Sequence, residues 1–72
     1  MINKEILFKF QLPLIHYNRH YHEIISQIRI NNGVIINQDK VKNNIVFEVK
    51  FLSSRDLSTF QKGVGFTLDE IS

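Results

Sequence analysis

Two stretches of the chain, Ile6-Leu7-Phe8-Lys9-Phe10-Gln11-Leu12 and Ile45-Val46-Phe47-Glu48-Val49-Lys50-Phe51, alternate so that nearly all their bulk falls on one side. A side-chain period of two is that of a strand, and one-sided bulk is that of a sheet covered on a single face. The first stretch puts Ile6, Phe8, Phe10 and Leu12 inward, and Pro13 ends it because proline brings no ladder donor. The second puts Ile45, Phe47, Val49 and Phe51 inward.

Between them the period changes. Leu14 to His16 reads as a connector, and Asn18 as the N-cap of a helix. Tyr17, Tyr21, Ile24, Ile25 and Ile28 then draw one apolar stripe, with Arg19, His20, Glu23, Gln27 and Arg29 on the wet side. Asn31-Asn32-Gly33 stops the helix, since both residue types tolerate the left-handed conformation of a C-terminal cap. Val34-Ile35-Ile36 is a short strand, and the Lys40 to Asn44 segment turns back into the strand at 45–51. A turn centred on Lys42-Asn43 is preferred, because it sets Ile36 opposite Val49. A turn at Asn43-Asn44 would set Asp39 opposite Glu48.

Ser53 or Ser54 caps a second helix, and Ser53 with Asp56 has the form of a capping box. Leu57 and Phe60 are its inward anchors and Gly63 its end; Val64 to Leu68 alternates as an edge strand, with a helical turn over Leu68 to Ile71 as the alternative.

The order strand, helix, strand, strand, helix, strand is the split βαβ, or ferredoxin-like, pattern of an α+β domain. It implies one antiparallel or mixed sheet with both helices on one face. The first and third strands, the richest in apolar residues, are expected as parallel neighbours in its middle. The chain, residues 1–72, is read as a single small domain whose core is marginal unless most apolar side chains are used.

The run Gly33-Val34-Ile35-Ile36-Asn37, Asp39, Ile45-Val46-Phe47-Glu48-Val49 and Phe60 resembles the small C-terminal domain of the YigZ/Impact family. That resemblance implies a ferredoxin-like fold, similar to a ribosome-binding translation-factor domain, and contact with RNA or the ribosome. It covers about half the chain, mainly packing positions, and carries no catalytic residue across. The Pro13 to Tyr17 connector is longer than the family pattern.

Composition narrows the chemistry. With no cysteine, disulfides, thiolate zinc sites and cysteine nucleophiles are excluded. No apolar run approaches the roughly 20 residues of a membrane span, so a cytoplasmic protein without membrane contact is expected. Nine Lys and Arg against seven Asp and Glu give a net charge of +2, too small a bias to define a partner without knowing its position.

The candidate sites follow from parity. Modules of the RNA-recognition fold share this order of elements and stack bases on open-face aromatics, but here Phe8, Phe10, Phe47 and Phe51 share the inward side with the aliphatics. The outward side presents Leu7, Lys9, Val46, Glu48 and Lys50, along with Gln11, a mixture suited to a protein contact. Lys40 and Lys42, near Arg55 in sequence terms only, make a small basic tip, and the three are the candidate contacts for nucleic acid. His16 and His20 have the spacing of a shared metal only if the helix begins before His16, and His22 points elsewhere, so solvent-exposed histidines are the better reading. Gly63-Val64-Gly65 is too short to cradle a phosphate. The expectation is a non-catalytic interaction module with no cofactor, metal or evident small-molecule substrate. It binds a protein partner or forms a homodimer through the open sheet face or an edge strand, with RNA or ribosome binding as the alternative.

Overall fold

The computed structural model describes residues 4–65 and 68–71. Six elements follow one another: β1 (Ile6–Pro13), α1 (Leu14–Ile30), β2 (Val34–Val41), β3 (Asn44–Phe51), α2 (Ser54–Gly63) and β4 (Asp69–Glu70). The strands form one antiparallel sheet in the order β2-β3-β1-β4, with both helices packed on one face. This is the ferredoxin-like arrangement expected from the order of elements.

The central pair needs one correction. β1 and β3 are neighbours, but antiparallel rather than parallel. The α1 crossover returns the chain so that β2 runs in the direction of β1, and the hairpin then reverses it, so β3 must oppose β1.

The core is the inward side of that pair. Phe8, Phe10, Leu12, Ile45, Phe47, Val49 and Phe51 are buried beneath Ile24 and Ile28 of α1 and Phe60 of α2. Phe10 lies at the centre, its ring 5.4 Å from Phe8, 5.1 Å from Phe47 and 5.9 Å from Phe60. Each fully buried side chain of this size contributes about 1.5–3 kcal/mol by leaving water, so these rings carry much of a small domain's stability. They are closed to any base. The parity reading therefore holds.

Helix α1 starts earlier than its sequence suggested. Leu14 to His16 is helical, not a connector, and the N-cap is Pro13 rather than Asn18. Proline had signalled only the end of a strand. No side chain caps this end; the Leu14 N–H donates instead to the Asn43 carbonyl in the β2–β3 turn, at 2.8 Å. A tertiary contact thus satisfies one of the helix's first donors. His20, with φ −116° and ψ 18°, breaks the helix into two segments, so His16 and His20 do not share a regular helical turn. The far end closes as a Schellman motif. Asn32 takes φ 61°, its N–H donates to the Arg29 carbonyl at 3.2 Å, and the Gly33 N–H donates to the Ile28 carbonyl at 2.7 Å.

The hairpin turns at Lys42-Asn43, as preferred, but β2 is longer than Val34 to Ile36. A bulge falls between Ile35 and Asn37, so Ile35, not Ile36, stands opposite Val49, and Asp39 stands opposite Val46. Ser53 caps α2 as expected, its hydroxyl accepting from the Asp56 N–H at 3.2 Å. The edge strand expected at Val64 to Leu68 is displaced: Val64 is the buried C-cap of α2, residues 66 and 67 lie outside the described residues, and the strand forms at Asp69–Glu70. It is held by pairing with Phe10 and Gln11 and by the Ile71 N–H on the Lys9 carbonyl, 2.9 Å away. The alternative helical turn over Leu68 to Ile71 is absent.

Candidate interaction surface

Pairing across the sheet builds the face away from the helices row by row. Val34, Lys50 and Leu7 form one row; Asn37, Glu48 and Lys9 the next; Asp39, Val46, Gln11 and Asp69 the third; Val41, Asn44 and Pro13 the last. The five residues chosen from sequence, Leu7, Lys9, Val46, Glu48 and Lys50, therefore come together on two adjacent central strands. Sequence reasoning missed the β2 contribution of Val34, Asn37, Asp39 and Val41. Its signal was the Lys42-Asn43 turn, which fixes the pairing of the whole arm once β2 is allowed its full length.

The most exposed apolar residues of the face lie at its two ends, with the half-buried Val46 between them. Leu7 and Val34, each 57% exposed, flank the stem of Lys50, and Val41 is 50% exposed in the last row. The middle is polar, with two side-chain hydrogen bonds across it. Lys9 stands opposite Glu48, the Gln11 Nε2 amide donates to Asp69 Oδ2 at 2.9 Å, and the Asn37 Nδ2 amide donates to Asp39 Oδ2 at 3.1 Å. Lys50 Nζ lies 3.6 Å from Glu5 Oε2, an exposed pair worth little to stability.

Charge on this face opposes that of the whole chain. Lys9 and Lys50 meet four carboxylates, those of Glu5, Asp39, Glu48 and Asp69. A surface with that balance repels phosphate more than it collects it. Arg55 does not join the basic tip. Lys40 and Lys42 sit at the turn end of the hairpin, whereas Arg55 opens α2 beyond the other end of β3, an eight-residue strand. At about 3.4 Å per residue the separation exceeds about 20 Å.

The histidines form no metal centre among the described residues, where no group of three or more potential ligands converges. His20 Nδ1 lies 3.5 Å from Glu23 Oε2, and Glu23 is on the α2 side of α1: a Cβ placed on Gly65 would meet Glu23 Oε1 at 3.3 Å. No described helix is long and apolar enough to cross a membrane. Comparison of the chain with protein-family models, with curated proteins and with solved structures finds no match.

Proposed function

We propose that the chain is a non-catalytic interaction module, which binds a protein partner or a second copy of itself through the open sheet face or an edge strand. One observation carries this reading: a rigid four-stranded sheet leaves Leu7, Val34 and Val41 at least half exposed on the face that no described helix covers. Exposed apolar residues at both ends of a polar centre suit a protein surface that excludes water around its charged groups. Leu7, Lys9, Val46, Glu48 and Lys50 are the proposed contacts.

Size-exclusion chromatography with light scattering tests the self-association form. A concentration-dependent dimer that Leu7→Glu or Val46→Glu abolishes supports it, whereas a monomer at every concentration, indifferent to both changes, removes it. For a foreign partner, proteins captured from the native host by the wild-type chain should be lost with the same two variants.

RNA or ribosome binding through Lys9, Lys50, Lys40, Lys42 and Arg55, which the YigZ/Impact resemblance implies, has weaker support. The turn lysines are exposed, but the open face carries excess carboxylate and Arg55 stands apart. Such a module would lose RNA affinity steeply with salt.

A further inference from the structure

The helix side of β2 differs from its open side in both shape and charge. A groove of ≈ 540 Å³ runs between α1 and this edge strand, its apolar lining made by Tyr21, Ile25, Ile28 and Ile35. Gln38 limits one end, where its Nε2 amide donates to Tyr17 Oη at 3.0 Å, and Gly33 the other. Val34, Ile35 and Gln38 of β2 border it, and the stretch of strand from Val34 to Gln38, at about 3.4 Å per residue, is room for about five residues of extended chain.

The charges around it share one sign. Arg29 lines the groove, and Lys40 follows Gln38 on the same side of β2. Among the described residues no carboxylate lines this groove. Glu23 of α1 faces Gly65 on the α2 side, and Asp39 belongs to the open face.

The strand beside this groove has a free edge. β2 is the last strand of the sheet on its side, so every second backbone group points away from β3. Counting from the Val41–Asn44 pair that closes the turn, the outward N–H groups are those of Lys40 and Gln38. The Gln38 N–H donates to the neighbouring Asn37 Oδ1, at 3.0 Å, a contact that an incoming carbonyl can replace.

We infer that the β2 edge and the α1–β2 groove together bind an extended peptide with alternating apolar residues and an acidic flank, added to the sheet as a fifth strand. Backbone pairing along β2 gives the peptide its direction and register, the groove takes its alternate side chains, and Arg29 and Lys40 receive its carboxylates. This names the partner for the edge-strand form of the proposed interaction module and rests on that reading. It uses residues on the side of the sheet opposite Leu7 and Val46.

Fluorescence polarisation with labelled octapeptides tests it. The set alternates valine, isoleucine or leucine with serine ahead of two aspartates, and control peptides replace the aspartates with lysines. Saturable binding by the acidic set is expected, at least tenfold tighter than by the lysine controls and weakened at least tenfold by Arg29→Glu. Gln38→Ala keeps the outward N–H and should bind within threefold of wild type. Gln38→Pro removes that donor without breaking the ladder to β3, and should lose at least tenfold while its thermal melt stays cooperative. Equal binding by both Gln38 variants overturns strand addition, as does absence of saturation by every acidic peptide at 1 mM. Displacement of a bound peptide by a mixed RNA pool, sensitive to Arg29→Glu but not to Gln38→Pro, marks the groove as a phosphate site instead. None of these failures alters the oligomer test of Leu7 and Val46, so loss of this inference and loss of the open-face reading are told apart.

Discussion

Strands β2 and β3 have the same length and share one ladder, yet their side chains live in different solvents. β3 buries Ile45, Phe47, Val49 and Phe51, every second residue, whereas β2 buries none and only half covers Gly33's near neighbour Ile35. Both gain backbone hydrogen bonds from the same pairing. The difference comes from what lies above them: β3 is central and sits beneath both helices, while α1 reaches β2 only along the groove from Gly33 to Gln38. The core therefore dictates the sequence of β3. That of β2 is left free for contacts outside the domain.

The largest effect should come from Phe47→Ala. Its ring is fully buried, 5.1 Å from Phe10 and 5.8 Å from Tyr17, so truncation removes about 3–5 kcal/mol. Much of a small domain's stability is of that order. Urea titration followed by circular dichroism should find the variant largely unfolded in buffer. A loss below about 1 kcal/mol would mean that β3 is no better anchored than β2, and the comparison would fail.

Gly33→Ala probes the point where the two regimes meet. A Cβ there would lie 2.8 Å from Ile28 Cγ2, 2.9 Å from the Ile28 carbonyl oxygen and 2.9 Å from Phe51 Cε1. The carbonyl belongs to the Schellman cap and cannot yield without disturbing it. Overpacking of about 1–3 kcal/mol is expected, read as a lower urea midpoint with an unchanged slope. A neutral result would show that the entry to β2 is loose and that the helix cap does not set its position.

How much of this was legible depended on where the deciding contact lay. The burial of Phe8, Phe10, Phe47 and Phe51 followed from strand parity alone, because one covered face converts a period of two directly into inside and outside. The Ser53 cap and the Asn32 stop were local signals and were read locally. The start of α1 was not, because the partner of the Leu14 N–H is the Asn43 carbonyl, far along the chain. Nor was β2 beyond Ile36, since Asn37, Gln38, Asp39 and Lys40 are polar on both faces and become a strand only through pairing with β3. Asn37, Asp39 and Val41 of the open face and Gln38 of the groove were hidden for that reason. The bulge at Ile36 left no periodic trace either, and it decided which isoleucine meets Val49.

Lys42 offers a gain rather than a loss. It occupies the first position of the two-residue turn with φ 57°, where a lysine costs about 1–2 kcal/mol and glycine costs nothing sterically. Glycine also carries more unfolded-chain entropy, which offsets about half of that. Lys42→Gly should therefore raise stability by about 0.5–1 kcal/mol, as a higher melting temperature. A decrease would place the lysine side chain in a contact that holds the arm.

Ile36→Ser should change least, and it is the sharpest test of what β2 is for. The side chain sits in the bulge, half exposed and outside the core, so its loss should move stability by less than about 0.5 kcal/mol. The same change in β3, at Val49, would place a hydroxyl among buried aliphatics and phenylalanines. If Ile36→Ser is silent in the melt while Val49→Ser costs several-fold more, the two strands answer to different constraints and β2 is available for binding. If Ile36→Ser costs as much as Val49→Ser, the edge strand is itself part of the structural core, and its exposure says nothing about partners.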